Sequence, residues 1–177
     1  AIGNLWVTNS PGITSITAQT SGYTTGQTAI ATYLIDSYAV VASAGANGTV
    51  TPSGNITVNL GGSQRFNFTG NTGYHIADVK VDDISQGAVS SYTFNNVTSA
   101  HKIAATFAIN TYNLTVTQTA NGVISPGTTV VNYGDTPNFS ITPTIGYHIV
   151  NITANGVALN VTSPSGQSYK FSSVTAN

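Results

Sequence analysis

Asparagines in acceptor sequences for N-linked glycans are the residues with the clearest chemistry in this chain. An Asn followed by any residue except Pro, and then by Ser or Thr, can accept an oligosaccharide in a secreted protein. Chance accounts for part of their number in a chain rich in Asn, Ser and Thr, and an unmodified polar strand residue is the alternative at each site. The candidate N-glycosylation sites are Asn47, Asn55, Asn67, Asn96, Asn113, Asn138, Asn151 and Asn160.

Three aspartates, Asp78, Asp82 and Asp83, lie close together in the sequence. Clustered carboxylates suit a hard cation such as calcium. A later stretch of similar sequence does not keep them, because its matching residues are Asn151, Asn155 and Gly156. We therefore interpret Asp82-Asp83 as a hairpin turn and predict no metal site.

Catalysis has few residues to use. His75 and His148 each lie in a Gly-Tyr-His-Ile sequence, which favours two packed structural histidines over a shared metal site. The chain has no Cys, no Glu and no Gly-x-Ser-x-Gly nucleophile elbow. Lys80 and Lys170 do not occupy matching positions, which argues against an isopeptide cross-link. We expect no catalytic residue and no cofactor apart from covalent N-glycans, and therefore a protein that is not an enzyme.

The composition excludes several classes of partner. Charged residues make up 5% of the 177 residues and the net charge is -1, whereas about a quarter of a typical soluble domain is charged. The basic residues are scattered singly, so no patch could neutralise a row of phosphates, and nucleic acid is not expected as a partner. No apolar run reaches the roughly 18 residues of a membrane span. The chain starts at Ala1, from which we expect a secreted protein whose signal peptide has been removed.

Short β-type segments alternate with turn sequences from residue 38 onward. Val, Ile, Thr and Tyr are frequent, and these residues favour strands. Turn pairs such as Asn47-Gly48 recur about every 8–12 residues, as in all-β sandwiches and barrels. The pattern predicts strands near 38–43, 55–59, 64–69, 75–81, 91–95 and 101–109.

The same order of segments occurs twice. Residues 29–48 align with residues 103–122 without a gap, at a shift of 74 positions, and the Gly-Tyr-His-Ile sequence of 73–76 recurs at 146–149. Repeated units of this kind usually stack in tandem. We predict an all-β protein of two tandem β-sandwich-like repeats with an N-terminal extended donor-strand arm. The predicted domains are the arm and donor strand (1–35), repeat 1 (36–109) and repeat 2 (110–177).

Three parts of the sequence together resemble one protein family. They are the run Ala-Gly-Ala-Asn-Gly-Thr-Val-Thr-Pro-Ser-Gly at 44–54, the Gly-Tyr-His-Ile sequence, and the ending Ser-Tyr-Thr-Phe followed by Val-Thr and Ile-Ala-Ala-Thr-Phe. Over about residues 36–177, the chain resembles the divergent internalin-type B-repeat, or bacterial repeat, family. The resemblance implies extracellular tandem β-domains at a cell surface, with structural or adhesive roles and no catalytic site.

The two repeats differ at their ends. Repeat 1 closes with a strand at 103–109, whereas repeat 2 stops without a counterpart of it. Residues 29–35 match that closing strand but have no repeat before them. A sandwich that lacks one strand exposes an apolar groove and two unpaired edges, which can accept a strand from another chain. We hypothesise that one copy completes repeat 2 of its neighbour through Ala29, Ile30, Ala31, Thr32, Tyr33, Leu34 and Ile35.

A donor and an acceptor at opposite ends give a head-to-tail contact, which builds a ring or a filament. The expected function is therefore a structural subunit of an extracellular, pilus-like filament on the cell surface. This filament would be a homopolymer assembled by donor-strand complementation. Trp6 is a candidate interface anchor, because Trp is enriched at interface hot spots. A surface aromatic residue or the edge of a local core is the alternative at this position.

Three other interpretations stay open. The chain could be cut from a longer repeat array, so that the two half-repeats are artefacts of the cut. It could be a cell-surface adhesin or glycan-binding repeat module from a longer surface protein, with other cells or surfaces as partners. It could also be an accessory domain of a carbohydrate-active enzyme.

Overall fold

The computed structural model describes residues 36–176, which form strands and turns without a helix. The predicted all-β class is confirmed, and this part of the chain has no helix long and apolar enough to cross a membrane. The strands are β1 (Ser37–Ala44), β2 (Gly48–Thr51), β3 (Gly54–Asn59), β4 (Gln64–Gly70), β5 (Tyr74–Val81), β6 (Ile84–Ser85), β7 (Ser91–Phe94), β8 (His101–Ile109), β9 (Thr111–Leu114), β10 (Gly122–Ser125), β11 (Thr129–Asn132), β12 (Asn138–Pro143), β13 (Ile152–Ala154), β14 (Val157–Leu159) and β15 (Gln167–Lys170).

The strands form two compact units. Among the described residues, unit 1 comprises 36–45, 49–69 and 78–106, and unit 2 comprises 46–48, 70–77 and 107–176. Short pieces of the first half of the chain therefore belong to unit 2.

The largest sheet has the strand order β3-β1-β8-β5-β6. β1 pairs with β3 in antiparallel orientation and with β8 in parallel orientation, so β8 has a neighbour on both sides. Its side chains alternate in burial: Ile103 and Ala105 are buried, whereas Lys102 and Thr106 are exposed. This period of two is expected for a strand that places one face against a core.

The buried core is concentrated in unit 1. The Phe94 ring on β7 lies 4.9 Å from the His101 ring on β8, so side chains of two different sheets meet there. Apolar side chains from β1, β4, β5 and β8 and from the segment after β7 fill the interior. The largest fully buried side chains are those of Phe66, Ile103, Val40, Val79 and Val97.

Two three-stranded sheets have the same design. Their strand orders are β2-β4-β7 and β10-β12-β15, and β4 pairs with β7 in the same register as β12 pairs with β15. Three aromatic rings meet edge to face in each, with centroids 4.9 to 6.0 Å apart. The matching rings are Phe66, Tyr92 and Phe94 in β2-β4-β7, and Phe139, Tyr169 and Phe171 in β10-β12-β15.

Two-residue turns connect β5 to β6 and β13 to β14. Asp82 and Asp83 have φ angles of 48° and 68°, and Asn155 and Gly156 have φ angles of 50° and 75°. Asn, Asp and Gly tolerate this left-handed conformation, which tight hairpins require. Asp82-Asp83 is thus a hairpin turn, as interpreted from the sequence. Within residues 36–176, no group of three or more His, Cys, Asp or Glu side chains is arranged to hold a metal ion.

Candidate strand-acceptor site

The largest sheet is continuous, whereas the strands of unit 2 that match it form two separate sheets. β9 pairs with β11, and β13 pairs with β14, as two separate two-stranded sheets. The β9–β11 register, with Tyr112 opposite Val131, matches the β1–β3 register, with Tyr38 opposite Val58. β13 and β14 likewise match β5 and β6 on either side of a two-residue turn. The described part of unit 2 therefore has no strand in the position that β8 takes between β1 and β5.

An open groove of about 350 Å³ occupies this position. One wall is formed by residues 113–117, which are the end of β9 and the segment after it. The other wall is formed by residues 152–155, which are β13 and the start of its turn. The floor is apolar and comes mainly from the three-stranded sheet of unit 2. Its residues are Ile124, Phe139, Ile141, Tyr169 and Phe171.

The groove continues into a second opening of about 410 Å³. The two openings share Thr117, Ile124, Ile141, Ile152 and Thr153. The second opening extends along residues 117–124 on one side and 147–153 on the other. The combined groove has the elongated form that an extended segment of chain requires.

The apolar floor is only partly covered. Phe139 is buried, but Ile124, Ile141 and Phe171 are half-exposed. Their counterparts in the first half of the chain, Val50, Phe68 and Phe94, are all buried. Burying apolar surface is favourable at about 25 cal/mol per Å², so the half-exposed floor favours a ligand that covers it.

Each wall of the groove is the edge of a strand that is shorter than its counterpart in the largest sheet. β1 continues to Ala44, whereas β9 ends at Leu114, and the following residues are held by side chains. The Val116 amide donates to Thr128 Oγ1 over 3.0 Å, and Gln118 Oε1 accepts from the Ile124 amide over 2.7 Å. The first bond joins this segment to the residue before β11, and the second closes the chain between β9 and β10.

The groove carries almost no charge. No Asp, Lys or Arg side chain lines either opening, and His148 lies at the rim of the second. A charged or strongly polar ligand would lose hydration there without gaining an opposite charge. An uncharged extended peptide, whose backbone can pair with both walls, fits this chemistry better.

The start of β8 shows how the corresponding position is held in unit 1. Asp82 accepts hydrogen bonds from His101 Nδ1 over 2.7 Å and from the Lys102 amide over 2.9 Å. The Lys102 ammonium also lies 2.6 Å from Asp83. Partial burial opposes ionisation of Asp82, but the bonds from His101 and Lys102 outweigh it and hold the pKa of this carboxyl below its ordinary value. In unit 2, Asn155 takes the place of Asp82 and lines the groove.

Comparisons with protein-family models, with curated proteins and with solved structures found no match for this chain. The similarity to internalin-type B-repeats therefore stays a prediction.

All the predicted glycosylation sites lie among the described residues, and each of these asparagines is exposed. Asn113 also lines the groove. Asn47 has a φ angle of 68° in its Asn-Gly turn. The predicted donor strand (29–35) and Trp6 lie outside the described residues.

Sequence reasoning did not identify the groove floor. The signal was present, because Phe139 and Ile141 repeat the inward positions of Phe66 and Phe68, and Phe171 repeats Phe94. In repeat 1 these core positions are covered by the closing strand, and repeat 2 lacks a counterpart of that strand.

Proposed function

We propose that this protein is the structural subunit of an extracellular, pilus-like filament on the cell surface, assembled head-to-tail by donor-strand complementation. Each copy contributes residues 29–35 to the groove in unit 2 of its neighbour, so that each repeat becomes a complete β-sandwich. The observation that carries the proposal is the open apolar groove in the position of β8. The sequence of 29–35 supports it, since it matches residues 103–109 of β8 without a gap.

The pairing of β1 with β8 supplies the register of the inserted strand. Ala42 lies opposite Ile103 in the parallel ladder. The counterparts of these residues are Val116 on the groove wall and Ala29 on the donor. The donor would therefore run parallel to β9 with Ala29 opposite Val116, and β9 would lengthen beyond Leu114.

The packing of an aromatic ring on a glycine supports the same register. The Phe107 ring on β8 lies so close to Gly48 that a Cβ at Gly48 would be 2.3 Å from the ring. The counterparts of this pair are Tyr33 and Gly122. A Cβ at Gly122 would meet only Thr142 and Pro143 backbone atoms, at 3.4 and 3.6 Å. The donor Tyr33 ring therefore has an open glycine to pack against.

The polar end of the donor also suits its acceptor. The counterparts of His101 and Lys102, which pair with acidic groups in unit 1, are Gln27 and Thr28, which directly precede the donor residues. Asn155 replaces Asp82 on the acceptor side. An amide facing an amide keeps a hydrogen-bonding pair without the carboxylate charge of Asp82, so this junction needs no ion pair.

The inward donor positions in this register are Ala29, Ala31, Tyr33 and Ile35. A fully buried large apolar side chain contributes about 1.5–3 kcal/mol. Tyr33 and Ile35 together would contribute on the order of 3–6 kcal/mol before the entropy of ordering the arm is subtracted. Backbone pairing along both walls adds to this contribution.

Deleting residues 29–35 tests the proposal. We expect the full chain to form filaments visible by electron microscopy and the deletion variant to stay monomeric in sedimentation. Mixed with the full chain, the variant should shorten filaments, because it keeps a groove but offers no donor. Polymers of the deletion variant, or a full chain that stays monomeric, would contradict the proposal. A monomeric full chain is also the result expected if a following segment of a longer chain fills the groove.

Two single changes form a matched pair for the same test. Tyr33→Asp places a charge at an inward position and should prevent assembly. Thr32→Asp places the same charge at a position whose counterpart, Thr106, is exposed. We expect Thr32→Asp to assemble like the unchanged protein.

A cell-surface adhesin or glycan-binding repeat module is the second candidate function. The exposed Tyr147 ring, 56% accessible beside His148, is the observation that favours it, because aromatic rings with a polar end are common at binding surfaces. Glycan binding by a monomeric variant such as the deletion protein, lost on Tyr147→Ala, would support this function. Filament formation without glycan binding would contradict it.

A further inference from the structure

The Gly-Tyr-His-Ile sequence forms the same turn at both of its positions. Gly73 and Gly146 have φ angles of 83° and 88°. The amide of the following tyrosine donates to a carbonyl three residues back in both turns, over 2.9 Å. We call the segments 71–76 and 144–149 the first and second turn. Their conformation is thus set by local sequence, and their surroundings can be compared directly.

The first turn is covered within unit 2. The Asn110 amide donates to the Gly73 carbonyl over 2.8 Å, and the Asn110 side chain lies 2.8 Å from His75 Nδ1. The Tyr133 ring packs so closely on Gly73 that a Cβ there would be 2.4 Å from the ring. Gly73 is buried as a result.

The second turn is open. No heavy atom lies within 4 Å of a Cβ built on Gly146, and the glycine is exposed. The apolar side chains beside it are exposed as well: Ile145 is 99% accessible, Tyr147 56% and Val150 81%. The second turn therefore leaves exposed the surface that Asn110 and Tyr133 cover in the first turn.

The chain contains a second pair of covering residues at the start of unit 1. The counterparts of Asn110 and Tyr133 are Asp36 and Leu60. The Leu60 amide donates to the Asp36 carbonyl over 2.8 Å, as the Tyr133 amide donates to the Asn110 carbonyl over 2.8 Å. Asp36 is exposed and Leu60 is 37% accessible, so both are available to a partner.

We infer that the second turn is a docking surface for a second copy of this chain and that it receives Asp36 and Leu60 of that copy. The inference rests on the proposed strand exchange, because Asp36 directly follows the donor residue Ile35. A donor seated in the groove would carry Asp36 to the second turn, just as β8 is followed at once by Asn110. His148 then meets a carboxylate where His75 meets an amide, so the contact between copies gains a negatively charged hydrogen-bond acceptor that the internal contact lacks.

A cross-linking experiment tests whether the two sites touch. The chain has no cysteine, so Asp36→Cys combined with His148→Cys gives two unique thiols. A short bismaleimide added to assembled filaments should produce a ladder of covalent oligomers from the double variant and none from either single variant. Filaments of the double variant that give no ladder would overturn the inference while leaving strand exchange intact.

A charge change tests whether the contact stabilises the junction. Asp36→Lys should raise the concentration needed for assembly by roughly three- to ten-fold, since it replaces a carboxylate that can accept a hydrogen bond from His148 with an ammonium that cannot. Combining it with His148→Asp should restore assembly to near the original level. Ser37→Lys, at the neighbouring position on the opposite strand face, serves as the control and should have little effect.

The outcomes separate this inference from the proposed function. Equal assembly of Asp36→Lys and the unchanged chain would overturn the docking surface alone. Failure of the unchanged chain to form filaments would overturn both. Because Asp36 and His148 are exposed, circular dichroism should show the same fold for each variant, so loss of assembly would not reflect unfolding.

Discussion

Unit 1 and unit 2 use matching strands, yet only unit 1 has a closed core. Twelve of the fourteen buried apolar residues in 36–176 lie in unit 1, and only Phe139 and Val174 lie in unit 2. The three-stranded sheets correspond strand for strand, so they do not cause the difference. It follows from β8, which contributes Ile103 and Ala105 to the interior of unit 1 and bonds to both of its neighbours.

The strands that border the gap also differ between the units. β1 and β5 have eight residues each, whereas their counterparts β9 and β13 have four and three. β10 and β2, which do not border the gap, have four residues each. A strand edge is thus maintained by its partner across the sheet, and the strands that border the gap are shortened most.

The comparison predicts that Ile103→Ala will have the largest effect on stability. Ile103 is fully buried, and truncating such a side chain leaves a cavity and costs about 2–5 kcal/mol of unfolding free energy. Ile84→Ala is the control, because Ile84 is 68% accessible and surface changes of this kind usually stay within about 0.5 kcal/mol. Chemical denaturation of both variants measures the difference. Equal costs would show that β8 does not organise the core of unit 1.

Much of this organisation follows from local sequence. The strand bounds predicted for the first half agree with β1, β3, β4, β5, β7 and β8 to within one residue at each end. The alternation of inward and outward residues and the turn pairs that end each strand contain this information. Asp82-Asp83 could be assigned to a hairpin for the same reason. β2 and β6 were missed, because each follows a tight turn directly and is too short to show a clear apolar alternation.

The parts that could not be predicted depend on distant contacts. Residues 115–118 occupy the same positions in the repeat as residues 41–44, yet only the latter are a strand, because only they face β8. Gly48 resembles any turn glycine until the Phe107 ring is placed on it. The two Gly-Tyr-His-Ile turns have identical sequences but different exposure. Their exposure depends on the residues that pack on them, which the turn sequence itself does not encode.

Gly122→Ala tests whether the groove of unit 2 accepts an aromatic ring as Gly48 does. The Cβ would make ordinary contacts inside unit 2 but would collide with a donor Tyr33 ring placed as Phe107 is placed on Gly48. Overpacking of this kind costs about 1–3 kcal/mol, so the concentration needed for assembly should rise by roughly five- to 150-fold. Gly127→Ala is the control, because nothing lies within 4 Å of its added Cβ. Sedimentation of assembled protein gives the measurement, and identical behaviour of the two variants would exclude the proposed register.

A peptide with the sequence of residues 27–35 should restore to unit 2 what β8 provides in unit 1. Bound in the groove of the deletion variant, it would extend β9 and protect the amides of residues 115–118. At a free concentration ten times its dissociation constant, exchange in this segment should slow by about ten-fold. Hydrogen-exchange mass spectrometry measures this, with a scrambled peptide as the control. Protection elsewhere in the chain, without protection at 115–118, would contradict the assignment of the groove.

Asp82→Asn should have the smallest effect, and it makes the turn of unit 1 resemble that of unit 2, where Asn155 occupies this position. Because the bonds from His101 and Lys102 lower the pKa of Asp82 in the folded state, its ionised form stabilises unit 1 above the unfolded-state pKa. That contribution is lost as the pH falls through the folded-state value. The side chain is 44% accessible, so water screens the interaction and the variant should lose less than about 1 kcal/mol near neutral pH.

The pH dependence distinguishes this ion pair from a general effect of the turn. Denaturation midpoints of Asp82→Asn and the unchanged chain should differ at neutral pH and converge in acid, once Asp82 is protonated in both folded and unfolded chains. Asp83→Asn is the matched control, since its bond to Lys102 is the more exposed of the two, with Asp83 79% accessible. A difference that persists undiminished at low pH would mean that Asn changes the turn itself. The bonds of ionised Asp82 to His101 and Lys102 would then contribute nothing to holding β8 in place.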